Sequence, residues 1–244
     1  MSSFMLLFKA RHFSPNDKKG YVVMGIQKFL FAVLAVIVLA SSVHAVDPPP
    51  IDSHLFQSGE LVYTDGFDGP LNKKWWQTRT KNWEVVDGLL IGAPDYKDAA
   101  EAQKSLKRDH HLGLSPVIRL DNLSPKFVVR MRVKFEGKEF KTGRPKFDIG
   151  HHINTVTFRD NGYAVKLHGG KQFLGKAPNV KLNEWLDVSL EFQEGALWIE
   201  VNGKGQLIKH EQVSLEGRSE LTFKTFEDSP NRIMFDSVSL WKAN

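Results

Sequence analysis

Residues 183–203 read NEWLDVSLEFQEGALWIEVNG, and this stretch decides the fold. Leu186, Val188, Leu190 and Phe192 alternate with Asp187, Ser189 and Glu191, a period of two that gives a strand one apolar and one polar face. Glu194-Gly195 turns the chain, and Leu197, Ile199 and Val201 resume the alternation against Trp198, Glu200 and Asn202. Asn202-Gly203 supplies the next turn, because both residues accept the positive φ that tight hairpins need. A half-buried hairpin is not stable alone in water, so its apolar face must lie on a second sheet.

The same pattern recurs on both sides of this hairpin. In Ser124–Glu136, Phe127, Val129, Met131, Val133 and Phe135 point one way, and Arg130, Arg132 and Lys134 the other. Phe147, Ile149 and Ile153 alternate with Asp148 and His152, which predicts one strand through all five. Thr155–Leu167 reads as a hairpin turning at Asp160-Asn161-Gly162, and Glu84–Gly92 as strand, Asp-Gly turn, strand. Glu60–Tyr63, Leu221–Phe226 and Ile233–Trp241 add three more. Helix is expected mainly within 95–112. About ten to twelve short strands, with a turn signal roughly every 8–12 residues, predict an all-β protein. The expected architecture is a two-sheet antiparallel β-sandwich or jelly roll over 59–244.

The chain before it has a different composition. Phe29–Ala40 (FLFAVLAVIVLA) is a continuous apolar run preceded by Lys28 and followed by Val43-His44-Ala45. At about a dozen residues it has the length of a signal-peptide core and is short for a bilayer span. Residues 1–45 are therefore expected to be a cleaved signal peptide, with Met24 an alternative start, and 46–58, containing Pro48-Pro49-Pro50, an extended linker. That leader predicts a secreted, periplasmic or cell-surface protein without membrane association after cleavage.

Charge and cysteine content remove several function classes. The 244 residues carry 33 Lys/Arg and 28 Asp/Glu, a formal +5. Residues 1–45 hold five of the former (Lys9, Arg11, Lys18, Lys19, Lys28) and one of the latter (Asp17), leaving 28 and 27, a net of +1. A near-neutral exported domain offers no electrostatic case for nucleic acid. With no cysteine, disulfides, thiolate metal sites and thiol nucleophiles are excluded. A domain of about 200 residues buries roughly 70% of its unfolded surface and needs no such staple. A monomer is expected. Asn122-Leu123-Ser124 has the form of a glycosylation sequon.

Three motifs then point to a family: Trp83-Glu84-Val85-Val86-Asp87-Gly88-Leu89-Leu90; Trp185-Leu186-Asp187-Val188 with Leu197–Gly203; and the closing Phe235-Asp236-Ser237-Val238-Ser239-Leu240-Trp241. Together they resemble the concanavalin A-like lectin/glucanase sandwiches, including laminin-G-like modules. Among these the pattern looks closest to secreted bacterial domains related to the 3-keto-disaccharide hydrolases. The resemblance implies a carbohydrate ligand and a structural calcium where first and last strands meet, with Asp65, Asp68 and Asp236 as its oxygen donors. No other cofactor is implied. The Glu-x-Asp-x-x-Glu pattern of glucanase catalytic strands is absent, and Arg144–His152 (RPKFDIGHH) stands where the 3-keto-disaccharide hydrolase-like domains show Asn-Ser-Gly.

Parity lines up the outward polar residues: Arg130, Arg132, Asp148, His152, Thr157, Arg159, Lys166, His168, Asp187, Glu191, Trp198 and Glu200. On one sheet these would make a concave polar face with an indole in it, and aromatic rings and charged groups suit sugars. The expected carbohydrate-binding residues are Trp198, His152, Arg132, Lys166 and Glu200. Asp148 and His152 are the candidate acid–base pair, with His151 pointing to the apolar side. The expected function is an exported carbohydrate-recognition domain. The alternatives are a glycoside-cleaving enzyme, whose mark would be two carboxylates facing across a cleft, and a structural cell-surface module.

Overall fold

The computed structural model describes residues 50–105, 113–141, 144–177, 180–227 and 231–244. The expected signal peptide, residues 1–45, and part of the stretch 95–112 expected to hold helix lie outside them. The first strands are β1 (Gly59–Asp65), β2 (Trp76–Thr78), β3 (Trp83–Val86), β4 (Leu89–Gly92) and, after the short helix α1 (Ala99–Ser105), β5 (Val117–Leu120). Next come β6 (Phe127–Glu136), β7 (Lys146–Ile149), β8 (Asn154–Arg159), β9 (Gly162–Lys166) and β10 (Gln172–Lys176). The last are β11 (Trp185–Gln193), β12 (Ala196–Val201), β13 (Lys204–Lys209), β14 (Leu221–Lys224) and β15 (Arg232–Ala243). No helix among the described residues is long and apolar enough to cross a membrane.

Two antiparallel sheets result. An eight-stranded sheet runs β13-β12-β11-β6-β15-β4-β3, with β1 on the free side of β15; a seven-stranded sheet runs β10-β9-β8-β7-β14-β5-β2. The opening hairpin is β11–β12, turning at Gly195 (φ 79°) and leaving at Asn202 and Gly203, whose φ values of 50° and 73° confirm the tight turn. The closing strand β15 pairs β4 through Ile233–Phe235 and β1 from Val238 onward, and its register shifts between Phe235 and Ser237. That β-bulge lets one strand serve two partners.

The apolar faces meet between the sheets as the alternation requires. Val129, Val133, Leu186, Leu190, Leu197, Ile199 and Phe235 from one sheet, and Phe147, Ile149, Val156, Phe158, Leu221 and Phe223 from the other, are fully buried. The rings interlock within and between the sheets: Phe147 meets its in-register neighbour Phe223 edge-on at 4.7 Å, and Phe223 meets Phe235 of the other sheet at 5.1 Å.

One expected strand is shorter. β7 stops at Ile149, because Gly150 (φ 77°) and His152 (φ 62°) bend the backbone out of the sheet. Residues 50–58, expected as part of an extended linker, instead fold back as a tied-down loop, with Ile51 N donating to the Gln57 carbonyl. Pro50 bridges Ser58, and Phe56 is buried against Val128 and Ala243.

Candidate functional site

The polar residues that parity placed on one face belong to two. Arg132 pairs in register with Asp187 on β11, Ser189 with Glu200 on β12, and Glu191 with Trp198, so these side chains share the outer face of the eight-stranded sheet. Asp148 pairs with Thr155, and Thr155 with Lys166, on the outer face of the seven-stranded sheet; His152 follows β7 there. Trp198, Arg132 and Glu200 are therefore separated by the whole core from His152 and Lys166. The expected five-residue sugar site is not one site.

The chain itself covers part of the first face. Glu191 is 1% exposed, and its carboxylate accepts hydrogen bonds from Ser53 Oγ (2.7 Å), His54 N (2.8 Å) and Leu55 N (2.7 Å). The His54 imidazole stacks on the Trp198 indole at 3.7 Å, and its Nε2 stands 3.6 Å from Glu200. The indole also passes close over Gly205, where a Cβ would meet it at 2.0 Å. Arg130 donates to the Asp52 carbonyl, and Arg132 lies over the Trp185 ring at 5.7 Å. Trp198 is thus a seat for residues 52–56, not an open shelf.

The outer face of the seven-stranded sheet holds the denser chemistry. Asp148 is 1% exposed because Phe147 and Ile149 sink β7 into the core on either side of it. Its Oδ1 accepts the Thr155 hydroxyl at 2.7 Å. Its Oδ2 receives no hydrogen bond, yet Lys146 Nζ stands at 3.5 Å, His152 Nδ1 at 3.6 Å and Lys224 Nζ at 3.8 Å. Burial, and then the Lys224 ammonium, push the His152 imidazole below its ordinary pKa, against the pull of Asp148. Burial lowers Lys224 too, again against Asp148.

A second carboxylate lies beside the first. Gly150 N donates to the Glu220 carbonyl, which places Glu220 one step beyond Thr222, the partner of Asp148. Glu220 is 8% exposed; one oxygen sits 3.1 Å from Arg119 Nη1 and the other 3.0 Å from His151 Nδ1. Asp121 holds Arg119 from behind, at 2.6 Å. His151 was expected on the apolar side. The turn that ends β7 instead brings both imidazoles to the outer face, 4.4 Å apart, each with Nδ1 toward its own carboxylate.

Lys146, Lys224, Glu220, Arg119 and Asp121 were not singled out from sequence. Parity does put Lys224 on the polar side of its strand, with Leu221 and Phe223 inward, but the pairing of β14 with β7 joins distant parts of the chain. The expected calcium donors do not converge. Asp65 accepts from the Tyr63 hydroxyl and the Phe67 amide, and Asp236 stands 4.0 Å from Arg132. Asp68 lies near Gly88, and no group of three or more metal-ligating side chains is found among the described residues. A cleft of about 360 Å³ lies elsewhere, lined by Lys81–Glu84 and Arg232 and by none of these carboxylates.

No protein-family model matches the sequence, and no curated protein matches it. Solved structures do. A non-specific endo-beta-1,3(4)-glucanase from family GH16 is 14% identical, with TM-score 0.56 over 81% of this chain and 96% of its own. The endo-beta-1,3-glucanase from Pyrococcus furiosus is 15% identical, with TM-score 0.54 over 82% and 99%. The catalytic domain of an endo-1,3-beta-glucanase (laminarinase) from Thermotoga petrophila is 12% identical, with TM-score 0.52 over 77% and 99%. At such identities the likeness establishes the fold alone, and that fold is the concanavalin A-like jelly roll.

Proposed function

We propose that this protein binds a carbohydrate across the outer face of its seven-stranded sheet, with Asp148 at the centre. The observation that carries this is the Asp148 environment: a buried carboxylate oxygen without a hydrogen bond, ringed by two ammonium groups and an imidazole at 3.5–3.8 Å. Titratable groups shifted by burial and by each other cluster where ligands bind. Sugar hydroxyls both donate and accept, so they can bond the exposed His152 and part-exposed Lys146 groups that the buried carboxylate holds in place. Solved structures of this fold include proteins described as glucanases, and the apolar leader fits export to where polysaccharides are met.

Glycoside cleavage is the second reading, favoured by one observation. Asp148 and Glu220 are diagonal neighbours on one face, which puts them about 7–8 Å apart with their Cβ atoms somewhat closer, near the span that paired catalytic carboxylates use. Binding ranks first because both carboxylates lie beneath imidazoles, at 1% and 8% exposure.

Affinity electrophoresis of the full chain in gels containing polysaccharide tests the proposal. Asp148→Asn is expected to weaken retardation at least tenfold, since it removes the charge that positions Lys146, Lys224 and His152, and charge-assisted interactions contribute about 1.5–3 kcal/mol. Trp198→Ala is expected to leave it unchanged. Loss of binding in Trp198→Ala with retention in Asp148→Asn would move the site to the other sheet. Release of new reducing ends by wild type would establish the second reading.

A further inference from the structure

We infer that the carbohydrate bound on this face is an acidic polysaccharide, one bearing carboxylate or sulfate groups. The inference rests on the carbohydrate reading above and adds the ligand's charge. It comes from how cations are distributed over the seven-stranded sheet.

Lys146 and Lys224 are in register on β7 and β14, and both face Asp148. Two ammonium groups therefore share one carboxylate. Lys166 extends the row that contains Asp148 and Thr155, on the next strand but one. Arg159 lies two residues beyond Thr157, the partner of Lys146, so it points the same way; Lys176 is opposite Gly162, which is opposite Arg159. Lys166, Arg159 and Lys176 are exposed and make no ion pair among the described residues. Five cations thus stand on this part of the face with Asp148, and the neighbouring Glu220 is already engaged by Arg119 and His151. Lys146 and Lys224 are on adjacent strands, about 5 Å apart, Arg159 and Lys176 are two strands apart, about 10 Å, and Lys166 lies four residues along the sheet from the Arg159–Lys176 row, about 13 Å.

Residues 46–244 carry a net of +1, so this concentration is a segregation of charge and not a general basicity. The outer face of the other sheet is closer to balance, with Asp187, Glu191, Glu200 and Asp236 set among Arg130, Arg132 and Lys134. A cationic half-face raises the local concentration of polyanions and discriminates against neutral chains. Leu174, 65% exposed on β10 beside Ala164, offers an aliphatic surface to sugar C–H groups. The outward residues of these rows include no aromatic ring, so single-stranded nucleic acid would lack the stacking platform it uses.

The test measures binding of the full chain to alginate, carrageenan, neutral laminarin and oligo-dT at low and high salt, for wild type and for Lys166→Gln/Arg159→Gln. Both substituted residues are exposed and outside the Asp148 network, so the fold is retained. Alginate or carrageenan is expected to bind at least tenfold tighter than laminarin at low salt and to lose at least tenfold in 0.5 M NaCl, by screening. The double variant is expected to lose fivefold or more toward the acidic polymer, more than it loses toward laminarin, with its melting temperature unchanged. Preference for alginate or for carrageenan identifies the carboxylate or the sulfate. Equal, salt-insensitive binding of all three polysaccharides would overturn the acidic ligand while leaving the carbohydrate reading intact. An unaffected double variant, or oligo-dT binding as tight as the acidic polysaccharide, would also overturn it. Failure to bind any polysaccharide would defeat both.

Discussion

Glu191→Gln should release the segment that crosses the eight-stranded sheet. The wild-type carboxylate is 1% exposed and takes Ser53 Oγ, His54 N and Leu55 N at 2.7–2.8 Å. Each is charge-assisted, contributing about 1.5–3 kcal/mol against about 0.5–1.5 for a neutral bond. Glutamine keeps the shape and one acceptor oxygen but turns an NH2 toward at least one of these donors. The summed cost is about 2–4 kcal/mol, most of it local, because the buried Phe56 still anchors the segment through Val128 and Ala243. At 1.4 kcal/mol per tenfold, amide exchange at His54 and Leu55 should quicken about 30- to 700-fold. Hydrogen exchange read residue by residue by NMR is the assay. Trp198 fluorescence should shift to the red as the His54 ring, stacked at 3.7 Å, leaves it. Unchanged exchange at both amides would refute the reasoning, because those N–H groups would then be held by something other than the carboxylate charge.

Three further outcomes are expected. Asp148→Ala leaves Lys224, 10% exposed in its side chain, and Lys146 without an anion; breaking a buried pair costs about 3–5 kcal/mol, and the partial exposure of Lys146 brings this to about 2–4, read as a lowered urea midpoint. A loss under about 1 kcal/mol would show that the lysines find other partners. The His152 pKa is lowered in the folded state, so between that value and the ordinary 6.5 the unfolded chain binds more protons. Stability should therefore fall as pH drops through this window, and fall less in His152→Gln; an equal fall in the two proteins contradicts the shift. Melting curves in excess calcium and in chelator should coincide, since Asp65 is engaged by Tyr63 and Phe67 and Asp236 faces Arg132. A rise with calcium would restore the site expected from Asp65, Asp68 and Asp236.

The strands with clean alternation were legible from sequence. β6, β11 and β12 lie where Phe127–Phe135, Leu186–Phe192 and Leu197–Val201 put them, because a period of two with one buried face leaves a single register. Some short or edge strands were not, β2 with three residues and β10 among them, since few of their side chains reach the core. The candidate site was legible only in part. Asp148 and His152 were singled out, and they do face each other. The error lay in continuing the alternation through His151 and His152, where positive φ at Gly150 and His152 ends it. Parity also cannot say which strands share a sheet, so Trp198 and Lys166 were joined although the core divides them. Glu220 and Lys224 came into view only with the pairing of β14 and β7, a contact between distant residues. Residues 50–58 gave no periodic signal because their hold on the sheet runs through backbone N–H groups and one buried carboxylate.

The central claim is that ligand binds the outer face of the seven-stranded sheet. The most direct measurement is a map of amide chemical-shift changes in the labelled protein as an acidic oligosaccharide is titrated in. The account predicts changes concentrated in 146–157, 162–166 and 221–224, with 52–56 and 196–201 unmoved. Changes confined to 52–56 and 196–201 would contradict it and return the site to the face that Trp198 shares with His54.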